Sequence, residues 1–247
     1  MTIAEFSNEF DIFYNSIATN SAPPIDLYEK SVYLTRAQLE IVNNYYNPAG
    51  NKYKKGFEQN TKRRNDLKEL IRNSKSTTVV SSTESISDDS IFFRVPANTY
   101  LIIQEKALVS STDACIDGTY IKVVPKTHDE FNYQEENPFK QPDKTVVWRL
   151  DYFMQSGSNQ NVELISPYTL TEYKFRYLLY PEPIVLVDLL TEYPTETLTI
   201  DGISQPQTCQ LSGNVHSEIL KRACEMATAD YSPDKLAVKT QMNSRNE

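Results

Sequence analysis

The sequence predicts an α+β protein: N-terminal helices, a central and C-terminal antiparallel β-rich region, and a closing C-terminal helix. Three observations predict it. Apolar residues recur every three or four positions through roughly the first 75 residues. From Ile91 onward they alternate with polar residues in short runs ended by Pro or Asp-Gly. Helical spacing then returns once, at Val215, Ile219, Leu220, Ala223, Met226 and Ala227.

The first helix opens at Thr2 and Glu5, which have capping-box spacing. Ile3, Phe6, Phe10, Phe13 and Ile17 follow on one predicted face, and the SAPP run at Ser21–Pro24 ends it. Asp26 and Glu29 repeat the spacing and predict a short helix to about Tyr33. Thr35 and Gln38 predict a further helix, stopped at Asn47–Pro48. A loop carrying Gly50 and Gly56 leads to a predicted helix over Thr61–Asn73, with Leu67, Leu70 and Ile71 on its buried side. Ser74–Ser90, rich in Ser and Thr, reads as a linker.

Strands are predicted at Ile91–Val95, Thr99–Val109 and, after an Asp117–Gly118 turn, in TYIKVV. His128–Asn137 is acidic and predicts one or two helical turns. Val146, Trp148, Leu150 and Tyr152 alternate with Val147, Arg149 and Asp151, the pattern of a half-buried strand. GSNQN is a turn and VELIS its return strand. Tyr173, Phe175, Tyr177 and Leu179 predict another strand, PIVLVDL a compact apolar one, and LTI-DG-ISQ a hairpin. The division predicted is a helical region 1–75, a linker 76–90, a β-rich region 91–212, a closing helix 213–230 and a polar tail 231–247. One domain can accommodate all of them at this length.

Composition narrows the function. The chain of 247 residues is 39% hydrophobic and 23% charged, with no apolar stretch long enough for a bilayer. The N-terminus lacks an early basic residue, unlike a secretory signal. A net charge of −8 disfavours wrapping of nucleic acid. Charge is segregated, however: Lys52 to Lys75 holds nine Lys or Arg against three acids, so this segment is +6 and the remainder −14. Segregation of this kind favours complementary contacts between copies or with a partner. Sixteen tyrosines suit half-buried interface positions or strand surfaces. Cys115, Cys209 and Cys224, odd in number and unpaired in spacing, read as reduced thiols.

No constellation for catalysis stands out. Neither phosphate-loop pattern occurs, and G-x-S-x-G is missing; its nearest trace, Gly157–Ser158, lies in a polar turn. His216 and His128 read as polar residues at a helix start and in an acidic loop rather than as general bases. Asp88–Asp89 and Glu135–Glu136 read as solvated loop carboxylates, since adjacent side chains diverge. The sequence therefore predicts no enzyme, no catalytic residue, no cofactor and no metal ligand. The strongest polar feature is the basic set Lys62, Arg63, Arg64, Lys68 and Arg72 on the helix predicted over 61–73. It fits nucleic-acid backbone, an acidic protein surface or a solvated face.

The succession of motifs adds a resemblance. DLYEKSVYLTRAQLEIVNNYYNP, GFEQNTKRRNDLKELI, IFFRVP, CIDGTYIKVVP, NPFKQP, WRLDY, VELIS, FRYLLYPEPIVLVDL, LTIDGIS, CQL and VHSEILKRACEMA follow one another along nearly the whole chain. In this succession the chain resembles the neck or ring proteins, head-to-tail connectors, of crAss-like Bacteroides phages. The resemblance implies a structural virion protein, assembled in the host cytoplasm. Copies would form a ring that meets the portal or an adjoining neck or tail ring around a channel for genomic DNA, without a membrane partner. The basic set Lys62, Arg63, Arg64, Lys68 and Arg72, and the tail from Tyr231, are the expected partner contacts. The alternative expectation is a phage DNA-binding accessory protein using the same basic helix.

Overall fold

The computed structural model describes residues 1–17, 24–47, 57–77, 79–80, 85–137, 139–156 and 159–231. In chain order its first elements are helices α1 (Ile3–Ile17), α2 (Leu27–Tyr46) and α3 (Thr61–Leu67). Strands β1 (Ile71–Ser76), β2 (Val79–Val80), β3 (Ser90–Pro96), β4 (Thr99–Ser110) and β5 (Tyr120–Lys126) follow. Helix α4 (His128–Gln134) precedes β6 (Val146–Ser156), β7 (Asn159–Ile165) and β8 (Thr169–Leu179). Helices α5 (Leu189–Glu192) and α6 (Gly213–Tyr231) complete the set. The chain is thus α+β. It divides into two compact units, Met1–Leu70 with Pro181–Glu247, and Ile71–Tyr180.

In the helical unit, both expected capping boxes at α1 and α2 form. Thr2 N–H donates to Glu5 Oε2 at 2.8 Å and Glu5 N–H to Thr2 Oγ1 at 3.3 Å. Asp26 and Glu29 cap α2 in the same reciprocal way. Phe6 and Phe10 are fully buried, but Tyr14 rather than Phe13 completes the face. Helical spacing alone does not decide this, since at 100° per residue both 13 and 14 lie within about 80° of positions 6 and 10. Helix α6 packs against both α1 and α2. Cys224 Sγ lies 3.6 Å from Phe10 O, and Arg222 forks onto Glu40 at 2.7 and 2.8 Å.

Thr35 and Gln38 do not start a second helix; α2 runs through them without a break. Together with Ser31 they form a polar stripe at i, i+4 and i+7, with Ser31 and Gln38 buried and Thr35 partly so. Ser31 Oγ accepts from Leu186 N–H at 3.0 Å and Thr35 Oγ1 from Ile184 N–H at 3.1 Å, while Gln38 Nε2 donates to Glu182 O at 2.9 Å. This stripe explains a second difference. PIVLVDL forms no sheet strand: besides a bridge between Val185 and Gln207 and a bond from Leu189 N–H to Ser204 O, its backbone is met by α2 side chains. Ile184 and Val185 are fully buried, and Val185 packs in a cluster with Tyr28 and Val32 of α2. The Asp201–Gly202 turn forms as expected. Both residues have positive φ, 47° and 79°, and Ile200 and Ile203 exchange both backbone hydrogen bonds at 2.9 Å.

The β unit is one eight-stranded sheet in the order β1-β8-β4-β5-β6-β7-β3-β2. Its strand pairs are antiparallel except β5 with β6. A flat sheet of this size would separate its edge strands by about 33 Å. Yet β1 and β2 lie at opposite ends of the order, with Ser76 and Val79 only three residues apart, a reach of at most ~11 Å. The sheet therefore curls back towards closure. Phe93, Ala107, Val109, Val147, Val162, Leu164, Leu170 and Tyr173 fill one core.

Over Val147–Leu150, strand β6 is buried on both faces, not on one. Val147 belongs to that core, whereas Trp148, Leu150 and Ile165 form a separate cluster capped by Phe131 of α4. The parallel β5–β6 pair requires a long crossover, and α4 within it covers the outer face of β6.

Candidate assembly surfaces

The basic helix expected over Thr61–Asn73 is shorter. Asn60 caps α3, its side chain accepting from Lys62 N–H at 2.9 Å, and the helix ends at Leu67. A 3-10 turn, Lys68–Leu70, follows, and Ile71–Ser76 pairs with β8 from Leu178 to Tyr173. Asn and Ser at 73 and 74 compete poorly for a helix, so the sheet hydrogen bonds prevail. Lys68 and Arg72 consequently do not share a helical face. Arg72 is exposed on β1, in the other compact unit.

The remaining four basic residues split into two pairs. Arg63 is buried, its guanidinium 5.2 Å from the Tyr45 ring centroid. Lys62 Nζ lies 2.5 Å from Glu218 Oε1, whose other oxygen accepts from Tyr45 OH at 2.6 Å. Burial, then the hydrogen bond to the Glu218 carboxylate, pushes the Tyr45 phenol far above its usual range. Asp66 is buried beside this group, and burial raises its carboxyl above the ordinary value. Lys62 and Arg63 thus hold α3 to α6 and α2. Arg64 and Lys68 stay exposed; Arg64 Nη2 donates to Thr61 Oγ1 at 3.2 Å and Lys68 approaches Glu69 at 3.7 Å. Tyr231 ends α6, but its side chain and the tail after it lie outside the described residues.

The β5–β6 crossover, residues 127–145, forms a second surface with the opposite charge. It carries Asp129, Glu130, Glu135, Glu136 and Asp143 against Lys140 and Lys144, a net −3. Its backbone is firmly held. Thr127 caps α4, Gln141 Nε2 donates to Glu135 O at 2.7 Å, and Asp143 accepts from Thr145 N–H at 2.7 Å and Val146 N–H at 3.1 Å. The Thr145 hydroxyl, which donates to Asp143 at 2.6 Å, and then these backbone bonds hold the Asp143 carboxyl below the usual carboxylate range. Phe131 anchors α4 edge-on to Trp148, with centroids 6.1 Å apart. From this base Tyr133 and Phe139 project with 86% and 96% of their surface exposed. Sequence reasoning left these two rings aside. The available signal was NPFKQP, a phenylalanine between two prolines beside Glu135–Glu136, where no strand or helix face could bury it.

The residues weighed for chemistry are dispersed. His216 is buried in α6; Nδ1 lies 3.0 Å from the Met1 amino group and Nε2 3.0 Å from Leu211 O. This is a packing role, reinforced by the Phe6 ring at 5.0 Å. Burial lowers the imidazole pKa below 6.5. The unfolded chain then takes up a proton before the folded one does, so this stability is present above about pH 6.5 and lost as pH falls through the folded value. The urea midpoint should fall between pH 7 and pH 5, and fall less in His216→Gln. An equal fall in both proteins would contradict that origin.

Cys224 is buried, Cys209 half-buried with its thiol pushed up to about 11, and Cys115 exposed; none forms a disulfide. Among the described residues no three His, Cys, Asp or Glu side chains converge as a metal site, and no helix is long and apolar enough to cross a membrane.

Known proteins are similar in sequence to this chain. The profile of the family described as phage tail ring protein 3/4 matches residues 1–239. The chain belongs to the phage tail ring protein 3/4 family. It is 40% identical over 250 residues to Ring protein 4/5 of Bacteroides phage crAss001, covering all of both chains. It is also 37% identical over 228 residues to Ring protein 3 of the same phage, covering 92% of this chain and 95% of that one. Two differently numbered ring proteins of one phage are therefore similar to this chain over nearly its full length. Within the ring protein family the helical unit, the curled sheet and the crossover fall inside the matched residues.

Proposed function

We propose that this chain is a structural virion protein whose copies form a ring in the phage neck, joining the portal to the tail around a DNA channel. The observation that carries this reading is the nearly full-length similarity to two ring proteins of one phage. The surfaces agree with it. A ring built from one chain joins two different patches head to tail. The protein offers an exposed basic pair, Arg64 and Lys68, and an acidic crossover tipped with Tyr133 and Phe139. A net charge of −8 also suits the wall of a conduit, because strongly basic walls would retain DNA. The partners in this reading are further copies, the portal and adjoining neck or tail rings, and the work is done by contact rather than by bond chemistry.

Quantitative mass spectrometry of purified particles tests it. The expected result is this protein at a fixed, multiple copy number relative to the portal protein. Its absence from mature particles, or a sub-stoichiometric and variable amount, would overturn the reading.

A further inference from the structure

We propose that the β5–β6 crossover is the docking knob of the ring contact, and that its occupant is a second copy of this chain, through the basic surface of Arg64 and Lys68. The proposal rests on the ring reading and adds which surfaces meet.

Order and exposure coincide in the crossover. A mobile loop can carry a ring in water at little consequence, but here α4 is capped, pinned by Phe131 and braced by side-chain to backbone bonds at Gln141 and Asp143. A fixed aromatic left 96% exposed forgoes roughly 1.5–3 kcal/mol of burial. Tyr133 and Phe139 are the two most exposed large apolar side chains among the described residues. Rigid, exposed aromatic rings are the usual anchors of protein interfaces.

Charge selects the occupant. Glu130 is engaged by Lys126 at 3.6 Å and Asp143 by its own turn, which leaves Asp129, Glu135 and Glu136 without an ion pair among the described residues. Glu135 and Glu136 flank the exposed rings. The complementary feature is on the same polypeptide: Arg64 and Lys68 lie in the segment of charge +6 and are exposed, whereas Arg63 is buried and Lys62, itself exposed, is paired with Glu218. A closed ring of identical chains needs one surface that is the opposite of another, and these two satisfy that need.

The test places a photo-crosslinking amino acid at position 139 of the full chain and incorporates it into particles from a mixture of isotopically heavy and light protein. The expected product joins position 139 to a peptide within residues 57–77, and carries one heavy and one light partner. Arg64→Glu with Lys68→Glu should lower its yield by about fivefold or more, and adding Glu135→Lys with Glu136→Lys should restore it. Overturning results are a crosslink to another viral protein, a product formed only within one label, a yield indifferent to the charge changes, or no product in particles that contain the protein. Particles lacking the protein altogether would instead sink the ring reading. Circular dichroism of each variant separates lost docking from lost folding.

Discussion

Replacing Arg149 by alanine is expected to cost about 3–5 kcal/mol, the largest effect of any single change in the β unit. Arg149 Nη1 lies 2.7 Å from Glu105 Oε1, and both side chains are less than 10% exposed. Tyr173 OH donates to Glu105 Oε2 at 2.7 Å, and Tyr173 is fully buried. Burial, then the Glu105 charge, raises the Tyr173 phenol well above its usual range, so it remains a donor. Without Arg149 the buried Glu105 carboxylate loses the guanidinium that faces it. The pair itself need not be strongly stabilising, because two desolvation costs oppose its attraction. Glu105→Leu combined with Arg149→Leu should therefore lie much closer to the natural protein than Arg149→Ala does. Trp148 is the only tryptophan, and it reports on this unit. Urea titration followed by its emission measures the difference; a cost for Arg149→Ala below about 1 kcal/mol would contradict the account.

The second large effect is expected from the α2 stripe. Ser31→Ala, Thr35→Val and Gln38→Leu in one protein would leave Leu186 N–H, Ile184 N–H and Glu182 O without partners. Each stranded buried group costs about 1–3 kcal/mol, so the triple variant should lose roughly 3–6 kcal/mol. Far-UV circular dichroism, dominated by the helices of this unit, follows it through urea. Thr35→Ser keeps the hydroxyl and should stay within about 1 kcal/mol of the natural protein. A triple variant as stable as the natural protein would mean that residues 182–186 find their partners elsewhere.

These two networks mark where sequence reading ends. The capping boxes at Thr2 and Asp26 were legible because all their partners lie within three residues. Thr35 and Gln38 have the same spacing, yet inside a helix that spacing also sets two side chains on one face, and only the distant 182–186 segment decides between the two. Leu67, Leu70 and Ile71 fit helical spacing, but pairing with β8, a hundred residues away, claims Ile71 for a strand. PIVLVDL has the composition of a buried strand and is buried, against a helix rather than in the sheet. The alternation in β6 was read as one wet face through Val147 and Arg149, whereas Val147 lies in the main core and Arg149 is buried, with α4 covering the opposite, apolar face.

For the candidate surfaces the limit is the same. The cluster of charge at 52–75 is plain in the sequence. What engages Lys62 and Arg63 is Glu218 and Tyr45, the first of them 156 positions from Lys62. The exposure of Tyr133 and Phe139 was within reach, since acids and prolines enclose both rings and leave no periodicity to bury them. The family likeness was legible because it is carried by the order of many short motifs.

Cryo-electron microscopy of the intact particle at the junction between portal and tail tests the central claim most directly. The account predicts a closed ring of copies of this chain, coaxial with the portal and surrounding an open channel. A junction in which every ring is traced to other chains, with this one absent or off the axis, would contradict it.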